Sequence, residues 1–180
     1  MSRLRKGHCY TRIKRSYTRK SKVKSKSYIK TVPANKITRY TMGDHTKQYD
    51  YGVHLISRQP IQIRHNALES CRVVVNKRLS DRYGSDYYFL LRVYPHHILR
   101  ENKMLVGAGA DRMQKGMQKS FGRPIGLAAQ LKKGQVLFTA YVSKDKVEFA
   151  KVALQKAPTR LPGKYSIEIK KVEKPKELKS

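Results

Sequence analysis

Acidic residues are scarce: 12 Asp and Glu stand against 41 Lys and Arg in 180 residues, and the first acid is Asp44. The resulting net charge of +29 opposes compaction by self-repulsion, so the expected working environment is a polyanion. A nucleic acid or an acidic membrane surface would supply one. Long apolar runs are missing, and so is a strongly amphipathic basic helix with large apolar residues, which excludes the membrane. Cysteine is nearly absent. Cys9 and Cys71 lie far apart without metal-ligand spacing, so reduced thiols in a cytosolic protein are expected. The N-terminus lacks the apolar stretch of a secretory leader. Like a transit peptide it is acid-free and rich in Arg, Lys, Ser and Thr, but its basic run extends far beyond a short amphipathic helix.

Catalytic patterns are missing too. The histidines His8, His45, His54, His65, His96 and His97 offer no pair at i, i+4 and no His-Glu-x-x-His motif. His96 and His97 follow Pro95 at a strand end, where adjacent side chains diverge, so they read as structural or RNA-contacting residues rather than metal ligands. The Gly107, Gly109, Arg112 spacing superficially suggests a nucleotide loop, but the dinucleotide fingerprint needs a third glycine where Arg112 stands. The Gly-Lys-Ser/Thr ending of a P-loop is also absent. No metal, cofactor or catalytic set is therefore expected. An RNA-modifying or RNA-cleaving enzyme is the rival reading, and only Glu101, Asp111 and the His96–His97 pair lie near enough to the basic stretch at 103–126 to serve it.

What is present begins with a basic arm. Residues 1–43 read as arm and linker; up to Lys30 the chain interleaves cations with Tyr10, Tyr17 and Tyr28 and lacks apolar surface to fold alone, so an extended arm from Ser2 to Lys30 that orders on RNA is expected. A merely solubilising tail would carry acids, and tyrosines can stack on bases. Residues 44–172 read as one globular domain, and 173–180 as a tail that frays.

Within the domain, "VHLISRQPIQIRH" suggests two short strands, or one broken edge strand, around Pro60. "HNALESCRVVVNKRLS" suggests a helix capped by Asn66, with Glu69 completing a capping box and Leu68, Cys71, Val75 and Leu79 on the core face. Its other side carries Arg72, Lys77 and Arg78. "DYYFLLRVYP" reads as a strand ended by Pro95. "IGLAAQL" and "GQVLFTAYV" read as strands joined by a tight turn at 132–134. A second helix is expected after Ser143 or Asp145, with Val147, Ala150 and Leu154 inward and Pro158 preventing its continuation. A last strand places Tyr165, Ile167 and Ile169 on one side. The fold class expected is α+β, with two main helices on one face of a mixed sheet.

Residues 103–126 fit neither element. Gly107, Gly109, Gly116 and Gly122 interrupt any period, and Lys103, Arg112, Lys115, Lys119 and Arg123 make the stretch basic. A structureless loop of this length inside a domain is usually functional. Its glycines, read as hinges, let backbone approach RNA closely while the cations meet phosphates.

"LRVYPHHILRENKMLVGAGADRMQKGMQKSFGRPIG" resembles the central block of the large-subunit ribosomal protein family called L-sixteen in bacteria and L-ten-e in archaea and eukaryotes. The likeness covers nearly the whole chain: "TVPANKITRYTMG" is similar to the family's Val-Pro-x-x-Lys-Ile…Gly segment, "NALESCRVVVNKRL" to its first helix and "GQVLFTAYV" to its Gly-Gln-x-hydrophobic strand. The Gly-Ala-Gly-Ala-Asp-Arg core marks the archaeal and eukaryotic branch, and the short C-terminus points to the archaeal side. After Gly43 the chain has Asp44, His45, Thr46 and Lys47 where the family usually has a basic Gly-Arg-Lys-Lys run, so no RNA contact is assigned there.

The resemblance implies an α/β-hammerhead-type domain bound to large-subunit rRNA near the A-site tRNA and the central protuberance. Its loop, 103–122, would project toward the peptidyl transferase centre, near the P-site tRNA. Neighbouring ribosomal proteins are implied partners; a membrane and a homo-oligomer are not. The RNA-binding set expected is Arg3, Arg5, Lys6, Tyr10, Arg12, Lys14, Arg15, Tyr17, Arg19, Lys20, Lys22, Lys24, Lys26 and Lys36 from the arm. Arg72, Arg92, His96, His97, Arg100, Lys103, Arg112, Lys115, Lys119 and Arg123 complete it from the domain and loop.

Overall fold

The computed structural model describes residues 5–13, 21–27, 29–104, 107, 116–118 and 120–172; the expected frayed tail at 173–180 lies outside them. Among the described residues, eight strands and two α-helices follow in order: β1 (Thr41–Gly43), β2 (Tyr51–Ser57), β3 (Ile61–Arg64), α1 (His65–Tyr83), β4 (Tyr88–Leu91), β5 (His97–Glu101), β6 (Arg123–Leu131), β7 (Val136–Val142), α2 (Val147–Gln155) and β8 (Tyr165–Lys171). This is α+β, as expected. The single mixed sheet is not found. All described pairings are antiparallel, and they divide into a five-stranded sheet ordered β1-β4-β7-β2-β8 and a three-stranded sheet ordered β3-β6-β5.

Two short corners cause the division. Pro60 cannot donate to a ladder, so it separates β2 from β3 and the chain leaves one sheet for the other. At the second corner, residues 132–134 carry the chain from β6 to β7. Gly134 sits at φ +81° there, and Lys132 N–H donates to the Gln135 Oε1 at 3.0 Å.

The core lies between the sheets and helices. Val53 and Leu55 of β2 face Ala140 and Phe138 of β7, and Phe89 of β4 stacks on Phe138 with centroids 5.3 Å apart. α1 packs on β3 and β6, α2 covers β2, β7 and β8, and the two helices touch each other. Leu68, Cys71, Val75 and Leu79 recur every three or four residues and are fully buried, as expected. Burial pushes the Cys71 thiol up to about 12, so it behaves as a small apolar core group.

The helix starts differ from expectation. β3 runs directly into α1, so Arg64 occupies the N-cap in extended conformation and Asn66 falls inside the first turn. Glu69 therefore closes no capping box and binds Arg72 instead, at 2.5 Å. At the second helix, Ser143 begins a 3-10 turn, Lys144–Lys146, without a side-chain cap bond, and α2 starts only at Val147. Pro158 lies within a further 3-10 turn, Ala157–Thr159. Val147 is only partly buried, while Ala150 and Leu154 are fully so; Ile169 of β8 is exposed.

The charge-based boundary at 43 does not coincide with packing. Ile37 and Met42 belong to the main core, β1 pairs with β4, and Ile29 is buried with Ile98 and Leu127 in a second, smaller cluster.

Candidate nucleic-acid interface

The basic loop is the tip of a hairpin. β5 and β6 are antiparallel neighbours, with His97 opposite Ala128 and Glu101 opposite Arg123, so residues 102–122 begin and end at one point. Gly122 closes that point at φ +75°; a Cβ there would lie 2.5 Å from the Glu101 carbonyl carbon and 2.7 Å from the Asn102 nitrogen. Gly122 is thus a fixed close-approach position, not the hinge expected of it. Gly107 and Gly116 also have positive φ, at +149° and +57°, but open space surrounds each. The Arg100 guanidinium lies 3.8 Å above the Phe121 ring and donates from Nη1 to the Phe121 carbonyl at 2.7 Å, which stiffens the hairpin base. Lys103 and Arg123 are exposed there. Gly109, Arg112, Lys115 and Lys119 lie outside the described residues.

The arm is not wholly extended. Gln62, on the three-stranded sheet's edge strand β3, donates its N–H to the Thr11 carbonyl at 3.0 Å and its Nε2 to the Tyr10 carbonyl at 2.8 Å. Arg64 covers the Tyr10 ring at 4.9 Å, and Arg5 pairs with Glu101 at 2.5 Å. The hydrogen bond to Glu101, and then its charge, raise the Arg5 pKa. Docked in this way, residues 5–13 and the hairpin base enclose a groove of about 410 Å³ that Arg5, Tyr10, Arg12, Arg100, Met117 and Phe121 help to line. Glu101 Oε2 is buried without a hydrogen-bond partner among the described residues.

Other expected residues are distributed over the surface. Lys6, Arg12, Lys22, Lys26 and Lys36 are exposed, and Lys24 belongs to the short turn Lys24–Lys26. Arg3, Lys14, Arg15, Tyr17, Arg19 and Lys20 lie outside the described residues. Arg72 is half-buried and paired with Glu69, so its charge is already answered.

Of the two readings of His97, structural or RNA-contacting, its burial favours the structural one. The residue is 7% exposed, and burial, followed by the charges of His96 and Arg100, lowers its pKa and keeps it neutral. It is therefore an inward structural residue, while His96 next to it faces solvent.

Sequence reasoning named Arg92 but missed the rings and polar groups gathered around it on the five-stranded sheet. Tyr88 and Tyr141 stack across β4 and β7 with centroids 5.6 Å apart. Arg92 donates from Nη2 to the Tyr141 hydroxyl at 2.5 Å and from Nε to Thr139 Oγ1 at 3.0 Å; His54 Nδ1 meets the same Oγ1 at 3.0 Å. The signal available in sequence was the alternation through "DYYFLLRVYPH", which continues past Leu91.

Chemically, exposed cations and aromatic rings over a rigid scaffold suit phosphate and base contacts. Of the acid–base candidates near the loop, Glu101 pairs with Arg5 and His97 is buried, His96 is exposed, and Asp111 lies outside the described residues. Among the described residues, no cluster of three or more His, Cys, Asp or Glu could hold a metal, and no helix is long and apolar enough to cross a membrane.

The family described as "Ribosomal protein L16p/L10e" matches residues 13–168. Relatives named "Large ribosomal subunit protein uL16" include three from archaeal species. The one from Metallosphaera sedula is 48% identical over 163 residues, covering 88% of this chain and 90% of the relative. That from Staphylothermus marinus is 48% identical over 161 residues, covering 88% and 89%. That from Saccharolobus islandicus is 47% identical over 170 residues, covering 92% of each.

Proposed function

The chain belongs to the ribosomal protein L16p/L10e family, in its archaeal form, and from that premise we propose that it is a non-catalytic structural constituent of the large ribosomal subunit. It binds rRNA in the cytoplasmic ribosome and contacts neighbouring ribosomal proteins. The finer reading places an α/β-hammerhead-type domain near the A-site tRNA and central protuberance, with the 103–122 loop directed toward the peptidyl transferase centre.

One observation carries the reading within this chain: the glycine-rich basic loop rises from a locked hairpin, beside a docked basic arm. Gly122 and the Arg100–Phe121 pair fix the loop's root. The exposed cations along the arm and at the root neutralise phosphate, and counterion release supplies most of the binding free energy. The family membership speaks against the rival reading of an RNA-processing enzyme, and two of its candidate residues, Glu101 and His97, are engaged by Arg5 and by the interior.

The test is a salt series. Affinity for a large-subunit rRNA transcript should fall steeply and linearly on a log–log scale, and removing residues 1–20 should flatten that slope by about 0.7–0.9 for each phosphate the arm had neutralised. A slope near zero, or one unchanged by the deletion, contradicts the proposal.

A further inference from the structure

Residues 92–96 join the five-stranded sheet to the hairpin, and their burial alternates. Val93 and Pro95 are buried, whereas Arg92, Tyr94 and His96 face solvent. Tyr94 is 60% exposed, yet its ring is held: it stacks on Tyr40 with centroids 5.9 Å apart and planes inclined by 24°. Tyr40 is itself anchored. Its hydroxyl accepts from Asn35 Nδ2 at 2.9 Å, its carbonyl accepts from Leu91 N–H at 2.8 Å, and its ring packs against the main core. Tyr40 therefore backs Tyr94 on one side and leaves the rest of the ring to solvent.

We propose that Tyr94, backed by Tyr40, is a stacking platform for an unpaired RNA base, with Arg92 and His96 flanking it to meet the adjoining phosphates. The proposal deepens the rRNA-binding reading above and rests on it. An aromatic ring fixed in advance loses little entropy when a base settles on it, and every base offers a π-face. Duplex RNA keeps its bases stacked inside, so the occupant is a single-stranded or bulged nucleotide. The charge around the ring selects the same class of ligand. No acid occurs between Asp86 and Glu101, nor anywhere before Asp44, so both segments that build the platform are acid-free and carry Arg39, Arg92 and His96. Arg92 is pre-oriented by Thr139 and Tyr141, which ties the platform to the Tyr88–Tyr141 stack on the sheet face.

Stacking and charge neutralisation differ in their response to salt, and the experiment uses that difference. Full-length protein and the variants Tyr94→Phe, Tyr94→Leu, Tyr94→Ala and Arg92→Gln are titrated against a large-subunit rRNA transcript at several salt concentrations, with thermal melting measured on each. Tyr94→Phe should bind within about twofold of the parent chain. Tyr94→Leu, which keeps an apolar contact with Tyr40 but has no π-face, and Tyr94→Ala should each bind about tenfold more weakly at every salt concentration, with the slope unchanged. Arg92→Gln should instead reduce the slope by about 0.7–0.9. Melting of Tyr94→Leu should match the parent, since the ring is largely exposed.

Parent-like affinity of Tyr94→Leu, with the parent itself binding in a salt-dependent way, would overturn the platform and leave the rRNA reading standing. Failure of the parent to bind the transcript would overturn both. A Tyr94→Leu protein that keeps full RNA affinity but dissociates from assembled subunits would assign the ring to a neighbouring protein and likewise overturn the proposal.

Discussion

Single residues decide how the hairpin root is built. Gly122 was legible as a glycine in a basic loop, but not as a locked position, because the constraint comes from the Glu101–Asn102 backbone across the hairpin, and sequence does not state which strands pair. Alanine at 122 meets both a positive φ and a Cβ approach of 2.5 Å, so Gly122→Ala should cost about 1–3 kcal/mol. For a chain of this size, that is roughly 2–4 °C of melting temperature per kcal/mol. Gly116→Ala, at φ +57° but with nothing within 4 Å of the new methyl, should carry the left-handed backbone strain alone, about 1 kcal/mol, and so lower the melting temperature less than Gly122→Ala does. Equal effects of the two substitutions would mean that the root is not locked. Tyr94 was overlooked for a related reason. Its neighbour Tyr40 lies 54 positions away, and only the fold brings the rings together.

At the scale of elements, the long periodic segments were legible and the short or cross-paired ones were not. α1 announced itself by apolar residues at 68, 71, 75 and 79, and β7 by its length and β-branched and aromatic content. β1, with three residues, and β5, reached through Pro95, are too short to show a period, and their identity depends on the partners β4 and β6. Helix starts were misplaced because β3 feeds α1 without a turn, leaving no position for the polar cap that Asn66 seemed to offer.

The loop's independence from the core is a consequence of the hairpin topology. Since residues 102–122 join adjacent antiparallel strands, replacing 105–119 by a short Gly-Ser bridge should leave the fold intact; closure costs change by only about 0.6 kcal/mol per doubling of length. The shortened protein should melt within a few degrees of the parent, and subunits carrying it should be impaired in peptide synthesis or maturation. Loss of cooperative melting, or full activity without the loop, contradicts that division of labour.

Across the whole molecule, charge dominates. The net charge of +29 was the clearest signal in the sequence and pointed to a polyanion before any element was placed. A second effect acts on the folded protein alone. Burial is the leading cause that holds His54, His65 and His97 below their ordinary value, so each favours the neutral form when folded. As pH falls below about 6.5, the unfolded chain takes up protons that these sites resist, so stability is fully present above that value and is lost on acidification. Melting temperature of the free protein should therefore decline between pH 7 and pH 5. That window lies above the one in which Asp86, held low by hydrogen bonds to Lys146 and Lys47, would lose its contribution. A flat profile from pH 7 to pH 5 would contradict the neutral assignment.

Whether the protein is a structural constituent of the large subunit is decided by sedimenting the purified chain with large ribosomal subunits from which it has been removed. A structural constituent should co-sediment at one copy per subunit, saturate there, and produce no new RNA fragments or modified nucleotides. Failure to co-sediment, binding that never saturates, or turnover of the RNA would contradict that role.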